Sequence, residues 1–237
     1  MSALLQARGL VKRFGGVTAV DGVSFELDGG QVLGLIGPNG SGKTTLLGML
    51  AGTHPPTGGA VLLGGRLVRG RGAHRSVRAG IARTFQTTRL FPTRTLRESL
   101  ALTRGECRGR PAGPGDGDLA ALIGLDGQLD RPAEQLTGAA QRLGMIALAL
   151  ATGPRVLLLD EPAVGMDGAE ADTLAAAVRG AAEQLGVAVV VVDHNMQFLM
   201  PLADRVLVMA AGAVLAEGTP ERIRTDEAVV ASYLGGA

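Results

Sequence analysis

Gly37-Pro38-Asn39-Gly40-Ser41-Gly42-Lys43-Thr44 matches the pattern G-x-x-x-x-G-K-[ST], and Thr45 follows it. Glycine lets a backbone wrap closely round a chain of phosphates, so that several N–H groups point inward at it. A helix starting at the end of such a loop adds the positive end of its dipole. The lysine of the pattern reaches the outer phosphates, and the hydroxyl after it binds a divalent cation. With 37 glycines in 237 residues, a chance match is the competing explanation. The pattern also needs a lysine, and of 23 basic residues only Lys12 and Lys43 are lysines. It further needs a strand before it and a helix after it. The apolar run 32–36 and the Leu46, Leu47, Leu50 face of residues 44–51 supply both.

A phosphate loop requires an acidic partner on a nearby strand. Val156-Leu157-Leu158-Leu159-Asp160-Glu161-Pro162 offers one, because four apolar residues bury the strand and carry Asp160 to its C-terminal end. Asp160 is then a candidate to hold Mg²⁺ through water, and Glu161 to polarise an attacking water. Alone, the pair reads equally well as a solvated acidic turn. A second buried run, 187–192, delivers His194 to the same edge, within reach of a γ-phosphate or the water. Gln86 follows the strand-like Ile81-Ala82-Arg83-Thr84-Phe85, where its amide can bind Mg²⁺ or water. Most glutamines at such boundaries are simply solvated.

Working outward, residues 23–27 alternate as a half-buried strand, and the first thirty residues read as short strands. Residues 60–63, 205–209 and 213–216 also read as strands. Helices are expected near 94–103 and 118–126, and over 139–151 and 169–185. Residues 104–118, rich in Gly, Pro and charge, read as a flexible loop. A helical tail is expected over about 220–237. Apolar residues make up 46% of the chain and aromatics 3%, so the core must be aliphatic. A net charge of +1 gives no pull towards nucleic acid. The single cysteine, Cys107, cannot close an intramolecular disulfide and suits a reducing compartment. The first ten residues do not resemble a secretion signal. The longest strongly apolar run is too short to span a bilayer, so any spanning falls to other subunits.

Taken in order along the chain, these motifs resemble ATP-binding cassette (ABC) proteins from end to end. Phe14 lies 23 residues before Gly37, where that family places the aromatic that stacks on adenine. Asp167, in Ala-Val-Gly-Met-Asp, matches the family's dimer-contact loop. Lys12-Arg13-Phe14-Gly15-Gly16, Arg83-Thr84-Phe85-Gln86, Asp193-His194-Asn195-Met196 and Ser232-Tyr233-Leu234-Gly235 resemble one branch, the ATPases of branched-chain amino acid importers. The resemblance implies an α/β P-loop NTPase core with a mainly parallel sheet. It adds an N-terminal antiparallel β subdomain and a helical insertion at about 87–151, all in one domain over 1–237.

The same resemblance implies ATP and Mg²⁺ as ligands, transmembrane permease subunits as partners, and indirectly a solute-binding protein. It places the chain on the cytoplasmic face of the membrane. Leu90 and Phe91, an apolar pair beside Gln86, are expected to meet a permease subunit. A second ATP-binding subunit completes each site with its signature sequence. This chain departs from the family there, with Leu136-Thr137-Gly138-Ala139-Ala140 in place of Leu-Ser-Gly-Gly-Gln. Thr137, Gly138 and Ala139 would serve the partner's ATP. Ala139 is expected to hinder any positive-φ geometry there, so the partner is expected to be a different chain. A soluble ABC ATPase of translation or repair would show two cassettes or a coiled coil. A small-molecule kinase or GTPase leaves Gln86, residues 136–142 and His194 unexplained. Glu161 and His194 argue against a module that no longer hydrolyses.

Overall fold

The computed structural model describes residues 3–68, 73–84, 90–106 and 113–234. Three strands set its centre: β3 (Val32–Ile36), β7 (Val156–Asp160) and β8 (Ala188–Val192), each buried along its whole length. Strands apolar on both faces need a layer on either side, which is how a parallel sheet is built. With β6 (Ile81–Arg83), β9 (Arg205–Ala210) and β10 (Ala213–Gly218) they form a sheet of order β10-β9-β3-β8-β7-β6. Only β10 runs antiparallel, against β9. The strand β8 therefore lies between β3 and β7, with Val32 opposite Val189 on one side and Asp160 opposite Val192 on the other.

A second sheet, β2-β1-β4-β5, is antiparallel. It comprises β1 (Leu5–Phe14), β2 (Val17–Leu27), β4 (Gly58–Leu63) and the two-residue β5 (Arg66–Leu67). The strands of its first hairpin are longer than the alternation in sequence implies. The register of β1 against β2 slips between Leu10/Val23 and Lys12/Val20, which breaks the period-two pattern.

Two cores lie on opposite faces of the central sheet. One joins Leu158 and Val190 to the antiparallel sheet and to α1 (Lys43–Leu50), through Leu5, Phe25, Leu46 and Leu47. The other joins Leu157, Leu159, Val189 and Val191 to α5 (Gly138–Ala151), α6 (Gly168–Leu185) and α7 (Met196–Leu202). Each fully buried leucine or valine contributes roughly 1.5–3 kcal/mol relative to exposure. The helix α2 (Ala73–Ala79), not foreseen in the sequence, precedes β6. Between β6 and β7 every described element is helical: α3 (Leu96–Glu106), α4 (Asp116–Leu122), a 3-10 turn at Ala133–Gln135, and α5.

The expected loop over 104–118 is shorter than its composition suggests. Arg104 pairs with Asp116 at 2.9 Å and donates to the carbonyl of Pro114, which supports both flanking helices. The C-terminal tail is α8 (Pro220–Thr225), capped by Thr219, and α9 (Glu227–Leu234). Among the described residues no helix is long and apolar enough to cross a membrane.

Candidate functional site

The loop Gly37–Gly42 leaves the C-terminal end of β3 and feeds α1. Two of its glycines are dictated by space. A Cβ on Gly37 would stand 2.1 Å from the Met209 carbonyl oxygen, and one on Gly42 would stand 2.3 Å from that of Ala19. Both also take φ values, +148° and +99°, that side chains disfavour. Gly42 is the N-cap of α1, so the unpaired N–H groups of the first turn face the loop. Pro38 and Thr45 are half-buried, Asn39, Gly40 and Thr44 are exposed, and Ser41 is buried.

Lys43 folds back over this loop, donating from Nζ to the carbonyls of Gly37 at 2.7 Å and Pro38 at 2.9 Å. Burial pushes its ammonium below the usual lysine range, while Glu161 and Asp160 pull it partly back. The lysine thus feels both carboxylates of the next-but-one strand, and a phosphate chain laid here would supply further negative charge.

Asp160 ends β7, buried, and Glu161 takes the next position with φ 49°, one of two non-glycine residues at positive φ among those described. The Glu161 N–H donates to the Val192 carbonyl at 2.7 Å, tying the turn to β8. Just beyond β8, His194 Nδ1 stands 4.0 Å from Glu161 Oε1, and its side chain is 71% exposed. The sheet order therefore brings the loop, Asp160, Glu161 and His194 to one edge.

Three residues that lie in motifs of the sequence but carried no assigned role there hold this edge together. Asp193 is buried; its carboxylate accepts from the N–H of Ala163 at 3.0 Å and of Asn195 at 2.9 Å. Arg142 of α5 donates to the carbonyls of Pro162 and Val164, linking the helix to the turn after Glu161. Arg83 of β6 donates to Asp160 Oδ2 at 2.7 Å. Apart from Asn195, which is next but one to Asp193, their partners lie 20 to 77 residues away in sequence.

Phe14 is half exposed at the end of β1. The Lys12 ammonium sits 4.9 Å from its ring centroid, and His54 meets it edge-on at 5.9 Å. His54 in turn packs against Gly48 of α1, which sets the aromatic beside the helix that follows the loop. One ring face is thus taken by a cation.

Thr137, Gly138 and Ala139 occupy the N-terminus of α5, which packs on α3, α4, α6 and β6. Thr137 is the N-cap, its Oγ1 accepting from the Ala140 N–H at 3.1 Å. Its hydroxyl hydrogen remains able to donate. Ala139 is the second residue of the helix and is not at positive φ, so the helix start asks no such geometry of it. Asp167 caps α6 in a reciprocal box with Glu170, a role within its own chain. Gln86 lies outside the described residues. The apolar pair beside it divides: Phe91 is 60% exposed, whereas Leu90 is half-buried beside Gly144 of α5.

A strand–loop–helix cradle for phosphates, with acidic residues two strands away and a histidine between them, defines a nucleotide-binding cassette. Residues 20–164 match the family described as ABC transporter, and residues 213–237 match the family described as branched-chain amino acid ATP-binding cassette transporter. The chain belongs to the ABC transporter family of ATP-binding cassettes. Within it, the chain is 37% identical to the high-affinity branched-chain amino acid transport ATP-binding protein BraF of Pseudomonas aeruginosa, over 99% of this chain and 98% of that one. It is also 37% identical to LivG of Escherichia coli K12, which carries the same description, with the same two coverages. Among solved structures it is similar to the ADP conformation of MJ1267, an ATP-binding cassette of an ABC transporter. The TM-score is 0.87 at 28% identity, covering 99% of this chain and all of that one.

Proposed function

We propose that the chain binds ATP with Mg²⁺ and hydrolyses it to drive import of a branched-chain amino acid. The observation that carries the ATPase reading is the convergence of Lys43, Asp160, Glu161 and His194 at one sheet edge. The solute class rests on the relatives' names and on the matched C-terminal segment. Phe14 offers its half-exposed ring to adenine, the loop Gly37–Gly42 and the first turn of α1 offer N–H groups to phosphate, and Lys43 exchanges its carbonyl contacts for phosphate oxygens.

The residues fit a divalent cation. Asp160 Oδ1 is buried with no hydrogen-bond partner, and the Thr44 side chain stands open in the first turn of α1. Thr44, Asp160 and Gln86 would hold Mg²⁺, whose charge, when bound, offsets that developing on the β- and γ-phosphate oxygens. Glu161 accepts a hydrogen bond from the water whose oxygen attacks the γ-phosphorus as the bond to the β–γ bridging oxygen breaks. His194 steadies the same water or a γ-oxygen.

Two cassettes face each other on the cytoplasmic side of the membrane, beneath permease subunits that receive solute from a binding protein. Thr137, Gly138 and Ala139 serve the partner's ATP, and Asp167 lies at the contact between cassettes. The altered signature, with Ala140 where the family has an amide, favours a partner that is a different chain. Phe91, exposed near Gln86, faces the permease.

Glu161→Gln should keep ATP binding and lower turnover by roughly 100-fold or more, because the water loses its acceptor carboxylate. Lys43→Ala should lose binding itself. Equilibrium binding and phosphate release on the purified chain, alone and with its permease, check both. A Glu161→Gln chain that hydrolyses at the unmodified rate would refute the assignment.

A further inference from the structure

The pairing of β6 with β7 places Arg83 opposite Leu158. Side chains alternate along a strand, so Ile81, Val156 and Leu158 face one core while Ala82 and Leu157 face the other. Arg83 and Asp160 therefore project from the same face of adjacent strands, two residues apart along the ladder. Their side chains are 13% and 3% exposed and meet at 2.7 Å. Such a pair desolvates two charges, and its attraction offsets that cost only when the geometry is good. A stable sheet does not need it, since an apolar residue at position 83 would continue the core.

The pair divides the carboxylate. Asp160 Oδ2 accepts from the Arg83 guanidinium, while Oδ1 is buried and takes no hydrogen bond. A freely rotating carboxylate would present either oxygen to a cation; this one presents a single oxygen in a fixed plane. Metal-bound carboxylates are oriented by outer groups in this way. Arg83 also lies on the short strand leading to Thr84, whose N–H donates to the Leu158 carbonyl at 3.0 Å, and then to Gln86.

We infer that Arg83 is a positioning residue for the cation that accompanies the nucleotide: it fixes Asp160 through Oδ2 so that Oδ1 serves the metal. This rests on the Mg²⁺-ATP reading of the site. Arg83 touches neither nucleotide nor metal. It acts on the cation through Asp160, from the strand that continues in sequence towards Gln86.

The test measures the affinity of a fluorescent ATP analogue for the purified chain across a Mg²⁺ titration, repeated with Mn²⁺, and in excess chelator. Arg83→Lys keeps a charge beside Asp160, so the carboxylate is not stranded. Arg83→Met removes the charge at similar volume. Both should raise the Mg²⁺ concentration needed for tight binding by roughly 10–100-fold. Affinity in chelator, which reports Lys43 and the loop, should stay within about 2-fold, and it also shows that each variant is folded. In an Asp160→Asn background the same Arg83 changes should add little, because their route is already cut. Three results would overturn the proposal: an unchanged Mg²⁺ requirement, an equal loss in chelator, or a full extra loss in the Asp160→Asn background. A parent chain whose affinity ignores Mg²⁺ would instead sink the site reading, and the proposal with it.

Discussion

Phe14 has a cation over its ring and a perpendicular imidazole beside it, and that limits what a base can do there. Lys12 supplies the cation and His54 the imidazole, and the side chain is still half exposed. Stacking reads no base edge, so Phe14→Ala should weaken ATP and GTP alike, by about 1 kcal/mol or somewhat more. Competition titrations with both nucleotides check this, and a loss confined to ATP would contradict it. Glu161 sits at φ 49°, a conformation that costs a non-glycine residue about 1–2 kcal/mol. Glu161→Gly and Glu161→Ala both remove the carboxylate, but only glycine relaxes the backbone. The glycine variant should therefore have the higher midpoint in thermal unfolding, and the reverse order would show that no strain is held there. The loop, Asp160, Glu161 and His194 were legible in sequence because each follows an apolar run that ends at one edge. Arg83, Asp193 and Arg142 were not, since each is defined by a partner that only the fold supplies.

At the scale of elements, α5 shows how a sequence departure can be milder than it looks. Ala139 sits in ordinary helical backbone, and its N–H points forward from the helix start. Ala139→Gly, which restores the family's residue, should change ATPase activity in the assembled transporter less than 2-fold. It should also lower stability by up to about 1 kcal/mol, because glycine loses more entropy in a helix. A large gain in turnover would mean that the methyl obstructs phosphate. In the proposed dimer Thr137 would carry a second duty, since its oxygen already caps the helix. Elements were legible where period and caps agreed, as in α6, whose Asp167–Glu170 box and Gly186 terminus frame the helix. They were less so in β2, where the slipped register hides half the strand, and in α3 and α4, where the Arg104–Asp116 pair extends helix into Gly-rich sequence.

For the molecule as a whole, the parallel sheet and its helical layers follow from the buried runs, while strand order does not, because apolar runs carry no label for their neighbours. That order matters to how the chain is made. The strand β3 carries the phosphate loop, yet both strands that flank it, β8 and β9, come from residues 188–210. Val32 is held from that distant segment as well, its N–H donating to Asp204 and its carbonyl accepting from the Asp204 N–H. Contacts so far apart in sequence form late and close a long stretch of chain. During synthesis the loop emerges long before residues 188–210, which supply its framework. A series of shortened chains read by nucleotide titration should show no binding in residues 1–186. Binding should appear only once β8 and β9 are both present; near-full affinity in the shorter chain would contradict this. On a ribosome, the nascent cassette would thus stay blind to the cell's ATP until the sheet can close around β3, and nucleotide capture would mark the end of folding rather than its beginning.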